Sequence, residues 1–281
     1  MENQIGGAVK RVEDRAGHGT ADFSGTVFTR VGAVFVKAVR QDNHSKTRAR
    51  MEEPRLNKLL PRVAPQLLWR TVNTEWALTG YEYVDGRHAR LAPGSDDVYP
   101  VVQLVAELAV REVPGSSYFD SLGARWSREA PWRTLAGLRH KLRNTWERQR
   151  IDVFADAELY VFDVLSAGTS IANADVSETS VLIRRGGPRI VGWTWATRAP
   201  AWVDSAVLAV RLVEAGHTPE QAESWVTHVP AWKEASATAL DAFSAALLGL
   251  WTLNSQYPSL IDAARRYAAY RLDGSAHPIR A

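Results

Sequence analysis

The chain has 281 residues, of which 46% are hydrophobic and 23% charged, and its formal net charge is +3. This is ordinary globular composition, with ample apolar material for a core. The sequence contains no cysteine, which excludes disulfides, thiolate nucleophiles and cysteine-based zinc sites. The seven histidines show no paired ligand spacing, so a histidine-based metal site is not expected either.

The N-terminal residues show no basic segment followed by an apolar run, so a secretory signal is not expected. No stretch approaches the ~18 uninterrupted apolar residues of a membrane-spanning helix. We therefore expect a cytoplasmic protein without a membrane partner.

The basic residues are scattered, with local groups at 46–50 and 139–150. The second group could form a nucleic-acid-binding face, so a regulatory nucleic-acid-binding module is one alternative for this chain. No recognised nucleic-acid motif accompanies it. We interpret the group as a solvated helix surface and do not expect a nucleic-acid partner.

The first part of the chain predicts a small β-rich domain, residues 1–86. Residues 1–20 are polar and predict a loosely ordered entry. Beyond them, apolar runs rich in β-branched and aromatic residues predict strands. The predicted elements are strands at 23–30 and 33–40, a short helix at 55–60, and strands at 66–72 and 75–81.

Helical patterns dominate after residue 86 and predict a second, larger domain, residues 87–281. Within it, a loop at 173–183 leads into a hairpin that extends to residue 193, with two short strands flanking 184–188. The predicted helices lie at 99–110, 132–148, 156–165, 201–215, 218–226, 236–253 and 260–272.

Lys37 stands inside an apolar strand, where period-two alternation places it on the same face as Phe35. A buried lysine is destabilising unless it is paired, so we expect a carboxylate partner. Glu53, beside the predicted helix, is the expected partner, with Glu52 as the fallback. The alternative is a lysine at a sheet edge that protects against aggregation.

Backbone binding of phosphate groups usually requires a glycine-rich turn between the first two strands. The stretch 21–26 contains a single glycine. Ser24 with Gly25 is the candidate turn.

The segment 173–192 carries a pattern of polar residues at informative spacing. An active kinase has a His-x-Asp-x-x-x-x-Asn loop, a strand pair and then a metal-binding Asp. In this chain Asp175 stands at the position of the loop Asp. Asn173 replaces the His, Ser180 replaces the Asn, and Gly192 replaces the metal-binding Asp.

Together these segments resemble the aminoglycoside phosphotransferase family, which shares the protein-kinase fold. The resemblance covers roughly residues 21–215, in the expected order. It implies an α+β, bilobal kinase-like fold with a small β-rich N-lobe and a larger helical C-lobe. The segments that carry it are 34–39, 53–61, 81–86, 173–183, 190–196 and 200–204.

The resemblance also implies how a ligand would be held. ATP would lie in the interlobe cleft, with Lys37 on its phosphates, Glu53 beside Lys37, and the backbone of Glu82 and Val84 on adenine. In active members of the family, a small-molecule hydroxyl accepts the phosphate, with the counterpart of Asp175 as the base.

The departures from the family pattern concern the metal. Mg²⁺ prefers carboxylate oxygens in a strict geometry, and Gly192 supplies none. Ser180 could ligate Mg²⁺ less effectively than the expected Asn, so we expect no working metal site. The leading hypothesis is therefore a degenerate member, a pseudokinase, that binds ATP weakly or not at all. It would act through a small-molecule ligand or a protein partner.

The main alternative is an active small-molecule phosphotransferase with a rearranged metal site that uses Asp175 and Glu178. No dense acidic cluster is present in the helical domain to receive a polycationic aminoglycoside, so resistance to such compounds is not expected. Asp204 is expected to cap the helix that follows it.

Overall fold

The computed structural model describes residues 7–14, 21–46, 51–110, 112–113, 120–254 and 257–274. The chain divides into two compact units. The first comprises Met1–Ala89 with Glu178–Ala196, and the second comprises Arg90–Ser177 with Thr197–Ala281. The first unit extends past the expected boundary at residue 86, and it contains the hairpin that the sequence pattern assigns to the helical domain.

The strands in chain order are β1 (Arg11–Asp14), β2 (Phe23–Phe28), β3 (Ala33–Arg40), β4 (Leu67–Val72), β5 (Trp76–Glu82), β6 (Arg87–His88), β7 (Ser170–Ala172), β8 (Val181–Ile183), β9 (Arg189–Ile190) and β10 (Thr197–Ala199). The α-helices are α1 (Glu53–Leu56), α2 (Val98–Ala109), α3 (Leu122–Glu129), α4 (Pro131–Gly137), α5 (Thr145–Ala167), α6 (Val203–Glu214), α7 (Pro219–Val226), α8 (Ala237–Asn254) and α9 (Pro258–Gly274).

The first unit is built on an antiparallel sheet with the strand order β1-β2-β3-β5-β4. Four of these strands match the expected ones. The edge strand β1 does not, because residues 1–20 were expected to be loosely ordered. Its sequence, Arg-Val-Glu-Asp, has no apolar alternation, and all four residues are exposed. Pairing with β2 holds this strand, and such pairing leaves no hydrophobic pattern in the sequence.

Apolar side chains of these strands pack against one another on one face of the sheet. The indole of Trp69 on β4 lies against Gly80 on β5, where an added Cβ would come within 2.2 Å of the ring. Trp69 packs with Val27 and Val36 at the buried centre of the cluster. Because side chains alternate along β3, Val36 faces this cluster and Lys37 faces the opposite side.

The first unit also contains a three-stranded sheet with the order β6-β8-β9, in which the hairpin strands β8 and β9 pair with β6. Arg189 on β9 reinforces the connection. Its guanidinium donates to Glu82 Oε2 at 2.7 Å and to the carbonyl of Val63 at 3.0 Å. These contacts explain why the hairpin belongs to the first unit.

The second unit is helical, with a short pair formed by β7 and β10. Helix α8 is apolar around most of its circumference and is buried over most of its length. Trp132 packs onto it at Gly249 and donates its indole N–H to the carbonyl of Ala245 at 2.6 Å. Among the described residues, no helix combines the length and apolar character needed to cross a membrane.

Two helices of this unit differ from the expected boundaries. The helix expected at 132–148 ends at Gly137 as α4, and α5 continues through the gap expected between residues 148 and 156. The Asn144 side chain accepts a hydrogen bond from the backbone N–H of Glu147 and so begins α5 as a separate helix. Helix α3 was not expected, because few of its positions are apolar.

The packing of Trp69 on Gly80 predicts a strong effect of a small substitution. Gly80→Ala places a methyl group inside the indole ring and should lower the free energy of unfolding by about 1–3 kcal/mol. Gly186→Ala is the matched control in the same unit, since its Cβ would meet only the Arg184 side chain at 3.9 Å. Thermal unfolding of both variants tests this. Equal melting temperatures would contradict the packing described.

Candidate functional site

Lys37 forms a closed, buried cluster in the first unit. Its Nζ donates to Glu53 Oε1 at 2.7 Å, to Glu53 Oε2 at 2.8 Å and to Thr194 Oγ1 at 3.2 Å. Lys37 is 7% exposed, and Glu53 and Thr194 are each 4% exposed. A lysine ammonium has three N–H donors, so these contacts engage all of them.

The ion pair between Lys37 and Glu53 is therefore present, although Pro54 follows Glu53 directly. Glu53 is the first residue of the short helix α1, and Pro54 occupies the first turn, where its missing N–H is tolerated. The expected role of this pair in binding nucleotide stays a prediction.

Thr194 is a member of this cluster that the sequence pattern did not identify. It lies in a 3-10 helix, Trp193–Trp195, directly after Gly192. Its hydroxyl donates to Glu53 Oε2 at 2.6 Å while accepting from Lys37. Thr194 thus ties the segment after Gly192 to β3 and α1.

The sheet face around Lys37 carries hydroxyl and aromatic groups on neighbouring strands. Strand register aligns Lys37 with Ser24 and Thr79, and it aligns Phe35 with Thr26 and Tyr81. Phe35, two residues before Lys37 on the same face of β3, is partly exposed.

Burial raises the pKa of the Tyr81 phenol well above its ordinary value, and the charge of Glu53 adds to this effect. Tyr81 is therefore a neutral group near pH 7. Its ring centroid lies 6.0 Å from the Lys37 ammonium, on which it acts as an aromatic neighbour.

Gly25 and Ser24 do not form a turn, so that expectation is wrong. Both residues lie inside β2, with Gly25 paired to Val36. A Cβ at Gly25 would meet the carbonyl oxygen of Glu13 on β1 at 2.6 Å, so the glycine permits close strand approach. The connection between β1 and β2 is residues 15–22, of which 15–20 lie outside the described residues.

The side chain of Glu82 is engaged within the first unit. Arg189 contacts both of its carboxylate oxygens, at 3.1 and 2.7 Å, and this contact lowers the pKa of Glu82. The backbone N–H of Glu82 donates to the carbonyl of Gln66 at 2.8 Å, and Val84 is buried. The expected contacts of Glu82 and Val84 with adenine stay a prediction.

Ser180 and Gly192 are brought side by side in the first unit. The backbone N–H of Val191 donates to the carbonyl of Ser180 at 2.7 Å. Gly192 has φ 75° and ψ 57°, and an added Cβ would meet nothing within 4 Å. There is thus room for a side chain at residue 192. Glu178, the candidate replacement carboxylate, is exposed.

A carboxylate-rich metal site was not found. Across the described ranges, no group of three or more histidine, aspartate or glutamate side chains is arranged to hold a metal ion.

In the second unit, Asp204 holds the loop that contains Asp175. Its Oδ2 accepts from the backbone N–H of Asn173 at 2.9 Å, and its Oδ1 accepts from that of Ala174 at 2.8 Å. The expectation that Asp204 caps its own helix is wrong, since the residue before the first turn of α6 is Trp202 and Asp204 lies inside that turn.

The loop held by Asp204 has an unusual backbone. Ala174 has a φ of 61°, which is uncommon for a residue with a side chain. The Asn173 side chain accepts from the backbone N–H of Asp175 at 3.1 Å. Asn173, at the position where the resemblance implies a histidine, thus fixes part of the backbone of this loop.

Asp175 forms an ion pair with Arg211 of α6, at 2.8 Å from Asp175 Oδ1. Arg211 also contacts Glu214 at 2.9 Å, and its guanidinium lies 5.3 Å from the ring centroid of Trp251. The arginine is thereby fixed on three sides.

Neither a protein-family model nor a curated protein sequence matches the chain. Solved structures do match it. A thermostable mutant of aminoglycoside phosphotransferase APH(4)-Ia has a TM-score of 0.66 at 12% identity, covering 99% of this chain and all of the other. The chain has the kinase-like fold.

Further matches agree with this kinase-like fold. Choline kinase from Cryptosporidium parvum Iowa II has a TM-score of 0.54 at 12% identity, covering 94% of this chain and 88% of the other. The streptomycin–ATP–APH(2″)-IIa ternary complex has a TM-score of 0.53 at 13% identity, covering 95% and 93%. The expected α+β kinase-like fold is confirmed. At these identities the likeness concerns the fold alone.

The burial of the Lys37–Glu53 pair predicts strong coupling in this kinase-like fold. Lys37→Met leaves the Glu53 carboxylate buried without its cation and should lower the free energy of unfolding by about 3–5 kcal/mol. The double variant Lys37→Met, Glu53→Leu should recover most of that loss, because neither charge is then buried. Urea unfolding of both variants measures this. A double variant no more stable than Lys37→Met would contradict the coupling.

The burial of Asp204 predicts a dependence of stability on pH. Desolvation raises the pKa of Asp204 from its ordinary value of 3.8 to about 6, although two backbone N–H groups favour the charged form. The folded state therefore holds this proton more tightly than the unfolded state. The contribution of Asp204 to the free energy of unfolding should fall by about 3 kcal/mol between about pH 4 and pH 6.

The check is the difference in unfolding free energy between the wild type and Asp204→Asn, measured from about pH 4 to pH 7. Asn does not titrate, so the wild type should lose ground to the variant as the pH rises. A difference that stays constant with pH would contradict the account.

Proposed function

We propose that this protein is a pseudokinase of the aminoglycoside phosphotransferase-like group, which binds a nucleotide without Mg²⁺ and transfers no phosphate. The observation that carries the proposal is Gly192. It stands where the resemblance expects the metal-binding aspartate, while the Lys37–Glu53 pair remains buried and intact.

The loss at residue 192 concerns the side chain and leaves the backbone intact. Aspartate and asparagine adopt positive φ more readily than other residues with side chains, and the space beside Gly192 is open. The backbone could accommodate an aspartate that the sequence does not supply. Phosphoryl transfer relies on metal ions to neutralise charge on the phosphates, so this loss removes the main electrostatic contribution.

The surroundings of Asp175 support the same conclusion for the second unit. A catalytic aspartate accepts the proton of the attacking hydroxyl. Here Arg211 holds the carboxylate at 2.8 Å and is itself fixed by Glu214 and Trp251. A substrate hydroxyl would have to compete with a permanent cation for the same group.

Nucleotide is the ligand class that the first unit favours. Phe35 and Lys37 lie on one face of β3, which offers an aromatic surface for a base and an ammonium for phosphate oxygens. Two fold neighbours are an ATP-containing ternary complex and an ADP-bound aminoglycoside phosphotransferase, which supports the same class. Nucleotide bound at this face would then regulate how the protein binds a small-molecule or protein partner.

We propose no nucleic-acid role for the basic group at 139–150. Arg139 pairs with Asp152, and Arg150 pairs with Asp273 at 3.0 Å while lying over the ring of Trp146. Acidic partners therefore neutralise part of this surface, which includes the 3-10 turn Arg139–Lys141 and the first turns of α5.

The proposal is tested by ADP formation from ATP in the presence of Mg²⁺ and a panel of small hydroxyl compounds. The wild type should form no more ADP than Asp175→Ala. Mg²⁺-dependent ADP formation that Asp175→Ala abolishes would show an active phosphotransferase and reject the pseudokinase.

Restoring the missing ligands should restore a response to metal. In Gly192→Asp combined with Ser180→Asn, the affinity for ATP should become about tenfold higher with Mg²⁺ than with EDTA, a gain of about 1.4 kcal/mol. The control is Gly187→Asp, because Gly187 also has positive φ and an open Cβ position in the same hairpin. A Mg²⁺ response in the control, or none in the double variant, would contradict the account.

A further inference from the structure

We infer that the hydroxyl of Thr194 competes with phosphate oxygens for the ammonium of Lys37. The hydroxyl thereby sets how tightly the protein binds phosphate. The inference rests on the proposed function, because it assumes that Lys37 is the group that receives the nucleotide phosphates. It assigns to Thr194 a role in setting the affinity for phosphate, beyond that of a packing residue.

The distances identify which contact a ligand would replace. Lys37 Nζ lies 2.7 and 2.8 Å from the Glu53 oxygens but 3.2 Å from Thr194 Oγ1. The bond to Thr194 is the longest of the three, and its acceptor is neutral. Phosphate oxygens are charged and form shorter, stronger bonds with an ammonium. A phosphate would therefore displace Thr194 and leave Glu53 in place.

Displacement is opposed by the second bond of the same hydroxyl. Thr194 Oγ1 donates to Glu53 Oε2 at 2.6 Å, so the carboxylate holds the hydroxyl against the ammonium. The whole cluster is also buried, with Thr194 4% exposed. A ligand must break the short hydrogen bond between Thr194 and the buried Glu53 carboxylate before it can bind the Lys37 ammonium. This arrangement predicts weak binding of phosphates by the wild type.

The position of Thr194 in the chain adds to the argument. Thr194 follows Gly192 by two residues, in the 3-10 helix that Gly192 begins. The segment that lacks the metal-binding carboxylate is thus the same segment that supplies the hydroxyl bound to the Lys37 ammonium. Loss of the metal ligand and occupation of the lysine both reduce the affinity for a nucleotide phosphate group.

A purely structural role predicts a different outcome on substitution. If Thr194 only satisfies a buried ion pair, then removing its hydroxyl destabilises the protein and leaves its affinity for phosphates unchanged. If Thr194 competes with ligands, the loss of the hydroxyl leaves an ammonium N–H without an acceptor. A phosphate oxygen would then supply that acceptor, and affinity would rise.

The experiment uses the full chain and inorganic tripolyphosphate in EDTA, with calorimetry as the readout. Thr194→Val keeps the shape of the side chain without the hydroxyl and should bind tripolyphosphate about tenfold more tightly than the wild type. Thr194→Ser, which retains a hydroxyl, should return the affinity to the wild-type range. Adding Lys37→Met to Thr194→Val should remove the gain.

The proposal is overturned if Thr194→Val binds no more tightly than the wild type, or if the gain survives Lys37→Met. If Thr194→Val does not fold, Thr194→Ala takes its place with the same expected gain. Failure of the proposed function is distinguishable, because it is measured as Mg²⁺-dependent ADP formation by the wild type. Tripolyphosphate binding in EDTA does not depend on that result.

Discussion

The buried ion pair between Lys37 and Glu53 is the interaction on which the chemistry of the first unit depends. Two buried opposite charges are stable only when every hydrogen-bond donor and acceptor has a partner. Thr194 supplies the remaining partner here. The same completeness restricts function, since a ligand can bind the ammonium only by displacing one of its three acceptors. A kinase-like fold can thus keep its lysine and still bind phosphate poorly.

Gly192 and Asp175 depart in separate ways from what the sequence resemblance implies. At Gly192 a side chain is missing from a backbone that could accept one. At Asp175 the side chain is present but paired with Arg211. The loop that carries Asp175 is held by Asp204, which accepts hydrogen bonds from two of its backbone N–H groups. The proposal of a protein that binds and does not catalyse rests on these two departures.

The sequence predicted those features that local patterns encode. Alternation along β3 indicated a lysine in need of a partner, and motif spacing singled out Asp175, Ser180 and Gly192. Features that depend on distant contacts were not predictable, because Thr194 meets Lys37 across 157 residues of chain. Gly25 was misassigned for a related reason: a glycine looks the same in a turn and in a strand that another strand approaches closely.

Calorimetric titration of ATP into the wild-type protein, once with Mg²⁺ and once with EDTA, tests the central claim most directly. A protein that binds nucleotide through Lys37 without a metal site should give measurable binding with the same affinity in both titrations. An affinity that rises about tenfold or more with Mg²⁺ would mean that a working metal site exists despite Gly192. Absence of binding in both titrations would contradict nucleotide as the ligand.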